Sequence, residues 1–434
     1  MTSDRPWDRY ALPLLLLLAT SAGWLFRQWA GYPPTPSDER NWVAIAALVA
    51  DGANWPISGP LHFETTKVLA DRFDTTHENA LAMQGLLSIP AVLLAYAGSY
   101  RLMGFTQAWP SLLLLCTSTY FWAPLLESRP QQWGQALVML CATMIWHLLN
   151  KERIADWRAA TGAWFIWSAL FALTCWVHLL SAALALAWCA MLGLLLVVLH
   201  PERLPRLASA AIASLPGLMV LSLPQGPYQM MWFDIRHNHV ALNLNAVWLP
   251  LLVGALVVAA MTLMRNACLR TMRHCLFSIE TQPRRWVVAL SVLTVLAIAA
   301  QASMLPSKAW AFYQASFATA MLRHLGNLFF FACFVLGAVS IFSHRATRAE
   351  QPWPGQTALL MCAVVIAVAA LAASTVLRDT NWMLRVINYA LPIAAPFAAI
   401  GLSRWRSPAS VKVGALCLTW YTSLLFAGLP AFVW

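Results

Sequence analysis

The sequence predicts an all-α polytopic membrane protein. Of its 434 residues 60% are hydrophobic and only 10% are charged. Apolar runs of about 20 residues, the length with which a helix crosses a bilayer, recur from end to end. Such runs are expected to be helical because a helix satisfies its own backbone hydrogen bonds in lipid. Residues 1–434 are therefore expected to form a single integral membrane domain, with no C-terminal soluble domain.

Proline, glycine and charged residues divide the apolar sequence into thirteen predicted spans. The first, 10–30, is interpreted as a retained helix, because a signal peptide has a shorter apolar run and a net positive flank. The flank here carries Asp4, Arg5, Asp8 and Arg9. The remaining spans are predicted at 81–104, 109–125, 132–149, 161–177, 179–199, 207–223, 244–264, 286–305, 324–343, 356–377, 387–403 and 411–432.

The distribution of lysine and arginine predicts the orientation. With the N-terminus in the cytoplasm, the cytoplasmic loops carry an excess of basic residues that accounts for the whole formal charge of +11. The N-terminus is therefore predicted to be cytoplasmic, with the first loop on the opposite face of the membrane. Basic residues in short loops next to a membrane serve topology and contact membrane lipids, so no nucleic-acid partner is expected. Most of the nine cysteines lie in apolar runs and indicate no disulfide framework.

The uncommon residues gather in the first periplasmic loop, 31–80. Its first part predicts an amphipathic helix with Thr35 as N-cap and Gly52 at its end. Asp38 and Glu39 in its first turn point about 100° apart and can take different roles. One interpretation is that they only stabilise the helix terminus. Other charged residues on the same side favour a catalytic site instead: Glu64, Lys67, Glu127 and Arg129.

Three motifs resemble the GT-C membrane glycosyltransferases, such as protein O-mannosyltransferases and aminoarabinose transferases of lipid A. The first is Asp38-Glu39 followed by an apolar stretch and Trp55-Pro56. The second is Leu-Glu-Ser-Arg-Pro ending at Pro130, and the third is Arg385-Val-Ile-Asn-Tyr389-Ala-Leu-Pro. The chain departs from the family pattern in two places. The lysine late in the first loop is displaced to Lys67, and three residues separate Arg385 from Tyr389.

The resemblance implies an inverting transfer of a sugar from a polyprenyl-phosphate donor to a lipid or glycan acceptor at the periplasmic face. Asp38 would be the general base, and Glu39 would orient the acceptor or contact a metal. Glu64 and Glu127 would hold sugar hydroxyls. No cofactor is expected to be required, although the clustered carboxylates could bind a divalent cation. The residues expected to contact the donor and its phosphate are Lys67, Arg129, Arg378, Arg385 and Tyr389.

Several alternatives stay open. Arg378 and Arg385 could simply mark a helix end, with their side chains extended toward the membrane surface. His237 and His239 could touch phosphate or a metal, but without a third ligand a solvated loop is favoured. For the whole chain, the alternatives are a transporter or flippase of a lipid-linked saccharide, a polymerase or ligase of surface polysaccharide, and a non-catalytic scaffold. A transporter would place ionisable groups at broken helices in mid-span, and the sequence shows neither clearly.

Overall fold

The computed structural model of the protein describes residues 8–30, 60–105, 108–126, 128–150, 157–199, 204–217, 317–343 and 380–427, together with a few isolated positions. Every regular element in these ranges is a helix. In chain order the helices are α1 (Asp8–Ala30), α2 (Pro60–Phe73), α3 (His77–Leu102), α4 (Ala108–Leu115), α5 (Thr119–Leu126), α6 (Gln131–Asn150), α7 (Trp157–Val177), α8 (Leu179–Leu199), α9 (Leu204–Ala213), α10 (Phe317–Ser343), α11 (Thr380–Arg404) and α12 (Ala409–Ala427).

The described helices agree with the predicted spans to within a few residues at most ends. The close junction predicted between 177 and 179 is confirmed, since α7 ends at Val177 and α8 begins at Leu179. Among the described residues, three helical segments are long and apolar enough to cross a membrane: Tyr10–Gln28, His77–Leu102 and His324–Ile341. The spans at 244–264, 286–305 and 356–377 lie almost entirely outside the described residues. The count of thirteen therefore stays a prediction.

The third predicted span, 109–125, is not one continuous helix. It is divided into α4 and α5 by residues 116–118. The backbone carbonyls at this break are satisfied by side chains: Trp122 Nε1 donates to the Cys116 carbonyl at 2.8 Å, and Ser423 Oγ donates to the Thr117 carbonyl. Ser118 Oγ donates to Asn327 Oδ1 at 2.7 Å. A break is tolerated inside a membrane when neighbouring helices supply such partners.

Two prolines in α11 explain a contact between α3 and α11. Pro396 has no N–H, so the carbonyl of Pro392, four residues earlier, loses its helical partner. The Tyr100 hydroxyl of α3 donates to that carbonyl at 2.6 Å and is itself fully buried. The contact satisfies a carbonyl that would otherwise be unpaired in an apolar interior.

Glycines allow α10 and α11 to pack with their backbones in close contact. A Cβ atom at Gly337 would overlap the Phe397 carbonyl, and a Cβ atom at Gly401 would overlap the Cys333 carbonyl. Burial from lipid gives little hydrophobic gain, so membrane helices associate largely through such close packing.

The first loop contains a helix, α2, that was not predicted. It ends at Phe73, where Asp74 adopts a left-handed conformation (φ 46°) and the Thr75 N–H donates to the Ala70 carbonyl at 3.0 Å. Thr76 then caps α3, its side chain accepting from the Asn79 N–H at 3.2 Å. The amphipathic helix predicted from Thr35 to Gly52 lies almost entirely outside the described residues.

Candidate functional site

Buried polar side chains collect at one end of the bundle, which we call the first-loop end because the loop 31–80 emerges there. Helices α1 and α5 end at it, while α3, α6, α8 and α11 begin at it. These polar residues are at most 7% exposed, which is unusual for an apolar bundle. They are Arg27, His62, Thr66, Gln84, Ser88, Ser128, Gln132, Gln135, His178 and Ser181.

The turn between α5 and α6 is held in a strained conformation. Ser128 has a φ of 49°, which is uncommon for a residue other than glycine. The Arg129 N–H donates to the Pro124 carbonyl at 3.0 Å and closes the turn. Arg27 at the end of α1 donates through Nη1 to the Leu126 carbonyl and lies 3.5 Å from Ser128 Oγ. The turn is therefore fixed from α1, and backbone strain of this kind is typical of functional sites.

Close packing from α3 and α6 completes the support of this turn. A Cβ atom at Gly85 would overlap Ser128 Oγ and lie 3.1 Å from the Leu125 carbonyl, so a larger residue there would displace the turn. Ser88 Oγ donates to the Gly85 carbonyl at 2.6 Å. With the Gln132 amide oriented to satisfy both of its ends, its nitrogen donates to Ser88 Oγ at 2.9 Å and its oxygen accepts from Trp133 Nε1 at 3.3 Å. The start of α6 is thus bonded to α3.

Helix α2 covers this region through His62. The His62 carbonyl accepts from Thr66 Oγ1 at 2.9 Å and from Gln84 Nε2 at 3.4 Å, which joins α2 to α3. The His62 ring is 2% exposed, and neither of its nitrogens has a partner with hydrogen-bond geometry. Burial lowers the pKa of His62 from 6.5 to about 4, and the nearby Ser128 backbone only partly opposes this shift. His62 is therefore a neutral, buried imidazole.

A second polar group joins α6, α8 and α11. The Ser181 hydroxyl lies 2.6 Å from the Tyr389 hydroxyl and 2.9 Å from His178 Nδ1. His178 is the single residue between α7 and α8, and its Nδ1 accepts from the Ser181 N–H at 3.2 Å. A Cβ atom at Gly134 of α6 would overlap Ser181 Oγ. The group is closed from solvent, with Tyr389 2% exposed.

The predicted site residues fall into two sets. Within the described ranges, Glu64 is exposed and Lys67 half-buried on α2, Arg129 is half-buried in the turn after α5, and Tyr389 is buried in α11. The contact between His62 and the Ser128 backbone brings the helix of Glu64 and Lys67 to the turn of Arg129. Arg385 lies on α11. The residues outside the described part of the chain are Asp38, Glu39, Glu127, Arg378, His237 and His239.

Sequence reasoning missed the buried polar residues that support these groups. A signal for some of them is present, because Arg27 stands near the end of an apolar run and His178 lies between two others. Ionisable residues in such positions are uncommon and point to functional sites. Nothing in the sequence alone indicates that Ser181 and Tyr389, 208 positions apart, are bonded to each other.

No protein-family model and no curated protein sequence matches the chain. Solved structures do match. An oligosaccharyltransferase of Archaeoglobus fulgidus, solved in complex with zinc and sulfate, matches with a TM-score of 0.55 at 14% identity, over 95% of this chain and 53% of that one. The oligosaccharyltransferase AglB of the same archaeon, solved with an inhibitory peptide and a dolichol-phosphate, matches with a TM-score of 0.50 at 13% identity, over 98% and 56% of the two chains.

A third structure, ArnT from Cupriavidus metallidurans bound to undecaprenyl phosphate, matches more loosely, with a TM-score of 0.39 at 14% identity over 97% of this chain and 78% of that one. The fold assignment therefore depends on the first two. The chain spans about half the length of each oligosaccharyltransferase. At the level of fold, the predicted likeness to membrane glycosyltransferases is confirmed by the two oligosaccharyltransferases.

Proposed function

We propose that the protein is a membrane glycosyltransferase that moves a sugar from a polyprenyl-phosphate donor to a lipid or glycan acceptor. The observation that carries this proposal is the fold shared with two oligosaccharyltransferases over at least 95% of the chain. One of those proteins was solved with a dolichol-phosphate, which is a polyprenyl phosphate. A fold alone does not define an activity, so the proposal also needs a site of suitable chemistry.

The first-loop end supports such a site. The helix carrying Glu64 and Lys67 contacts the turn of Arg129, and α11, which carries Arg385, is joined to α8 through Tyr389. Cations at this end suit a departing phosphate, and carboxylates suit sugar hydroxyls and an acceptor proton. In the orientation predicted from lysine and arginine, this end is the periplasmic face of a bacterial inner membrane, with the N-terminus in the cytoplasm.

The proposed reaction is a single displacement with inversion at the anomeric carbon. The acceptor oxygen forms a bond to that carbon while the bond from carbon to the phosphate oxygen breaks. The acceptor proton passes to the Asp38 carboxylate, and the electron pair of the broken bond leaves with the polyprenyl phosphate. Arg378 and Arg385 are the proposed partners of that phosphate, because guanidinium groups pair with phosphate through two parallel hydrogen bonds. Glu39 orients the acceptor hydroxyl.

A metal ion is not part of this scheme. One oligosaccharyltransferase of similar fold was solved with zinc, which raises the question for this chain. Among the described residues no group of three His, Cys, Asp or Glu side chains could hold a metal ion. Asp38 and Glu39, the acids proposed for the site, lie outside those residues, and their carboxylates are of the type that binds divalent cations.

The test is transfer of radiolabelled sugar from a native membrane lipid extract by the purified protein in detergent. The wild type is expected to form product, and Asp38→Asn is expected to abolish it while the donor lipid remains. Asp71→Asn, the same change at an exposed position of α2, is the matched control and should leave transfer intact. Equal transfer by the wild type and Asp38→Asn would contradict the assignment of Asp38 as base.

A transporter or flippase of a lipid-linked saccharide is the second candidate. The observation that favours it is the break between α4 and α5, because transporters commonly bind substrate at discontinuous helices. At this break, however, the Cys116 and Thr117 carbonyls accept hydrogen bonds from Trp122 and Ser423. Because these carbonyls are already bonded within the protein, they are not available to a substrate, which favours the transferase.

A further inference from the structure

The direction of the hydrogen bonds among His178, Ser181 and Tyr389 follows from the contacts of His178 Nδ1. His178 Nδ1 accepts the Ser181 N–H at 3.2 Å, so it carries a lone pair and the ring proton is on Nε2. Ser181 Oγ lies only 2.9 Å from the same Nδ1. Two lone pairs would repel at that distance, so the hydroxyl hydrogen of Ser181 points at Nδ1. The remaining lone pairs of Ser181 then accept the Tyr389 hydroxyl at 2.6 Å.

The direction follows from the fold. His178 is the N-cap of α8: its carbonyl accepts from the Ala182 N–H at 3.0 Å, and its side chain accepts from the third helical residue, Ser181. Capping therefore selects the ring tautomer, and the tautomer selects the orientation of both hydroxyls. Gly134 of α6 allows Ser181 this position, because a Cβ atom at residue 134 would overlap both Oγ and Cβ of Ser181.

We propose that His178 and Ser181 are positioning residues that hold Tyr389, and with it the start of α11, in the geometry that binds the phosphate of the donor. This inference rests on the proposed function, in which α11 contributes Arg385 to that phosphate. The three residues come from two helices and the junction before one of them. They tie α8 to α11 at the first-loop end, where α11 begins.

The test is a double-mutant cycle on transfer from the polyprenyl-phosphate donor. Ser181→Ala removes a hydrogen bond in a closed site, so its KM for the donor should rise about tenfold with kcat little changed. Tyr389→Phe should have a similar effect, and the double variant should be no worse than either single one. Ser403→Ala, the same change on the exposed face of α11, is the control and should match the wild type.

A second pair of variants and a direct measurement separate positioning from a purely structural role. His178→Asn keeps a side-chain acceptor at the N-cap and should stay near the wild type, while His178→Leu should resemble Ser181→Ala. Nitrogen NMR of histidine-labelled protein, with the His178→Asn spectrum subtracted, should show an unprotonated Nδ1. The measurement does not depend on activity.

Three results would overturn the inference. Effects of Ser181→Ala and Tyr389→Phe that multiply would mean that Ser181 does not act through Tyr389. A lower kcat with unchanged KM would mean that the variants only reduce the amount of folded protein. A protonated Nδ1 would contradict the direction of the bonds. Absence of transfer in the wild type itself would instead refute the proposed function, and this inference with it.

Discussion

Stability should depend on pH through His62, the imidazole that α2 buries over the turn after α5. In the unfolded chain this group takes up a proton at its ordinary pKa of 6.5, whereas in the folded protein its pKa is about 4. Between these values the unfolded state binds more protons, so the folded state loses stability as the pH falls. At 1.36 kcal/mol for each pKa unit, the loss is about 3 kcal/mol once the pH reaches 4.

The measurement is the free energy of unfolding in mild detergent, followed by the fluorescence of the 23 tryptophans. Between about pH 7 and about pH 5 the wild type should lose about 2 kcal/mol more than His62→Gln, which has no proton to gain. His274→Gln, the same change at an exposed histidine, is the control and should keep the wild-type dependence. An identical pH dependence in the wild type and His62→Gln would refute the reasoning.

Three further predictions concern the packing of the first-loop end and the bundle. Gly85→Ala should lower the thermal midpoint of unfolding because its Cβ would overlap Ser128 Oγ. Gly98→Ala in the same helix has nothing within 4 Å of its Cβ and should raise the free energy of unfolding by up to about 1 kcal/mol. Equal thermal midpoints for the two variants would contradict the contact between Gly85 and the turn. Gly401→Ala should prevent close packing of α10 on α11, since the Cys333 backbone cannot move aside, and should reduce the yield of monodisperse protein. A wild-type elution profile on size-exclusion chromatography would contradict this prediction. Arg27→Met should lower the free energy of unfolding by about 1 to 3 kcal/mol, because the Leu126 carbonyl loses its donor, and Arg27→Lys should recover part of that loss.

Much of the fold could be predicted from the sequence because lipid imposes a simple rule. An apolar run of sufficient length must be a helix, and Val177 and Leu179 mark the junction of two such runs correctly. The break at residues 116–118 could not be predicted in the same way. It depends on donors from Trp122 and Ser423, and the latter is remote in sequence.

Helix α2 was missed for a different reason. Its sequence is mixed in polarity and lies in a loop, so no strong apolar period marks it. What holds it is tertiary: Thr66 Oγ1 lies 2.8 Å from Gln84 Oε1, and His62 is buried against α3 and the turn at Ser128. Local propensity commonly yields to such packing.

For the candidate site, the sequence predicts a region of the molecule, and the roles of its residues stay predictions. Charge and motif placed Glu64, Lys67, Arg129, Arg385 and Tyr389 on one side of the membrane. In the structure, α2 contacts the turn after α5, and α11 contacts α8, both at the first-loop end. The sequence did not reveal the neutral groups beneath them, because serine, glutamine and glycine carry no charge pattern. Their partners are defined only by the packing of helices that are far apart in the chain.

The central claim, that the protein breaks the bond between a sugar and a polyprenyl phosphate, is tested most directly by following the carrier lipid. The purified protein would be reconstituted into vesicles with the lipid-linked sugar extracted from native membranes, and the lipids analysed by mass spectrometry. A transferase should release one free polyprenyl phosphate for each sugar that appears on the acceptor, and Asp38→Asn should release none. Movement of the intact lipid-linked sugar across the vesicle membrane, with no free polyprenyl phosphate formed, would contradict the account and favour a flippase.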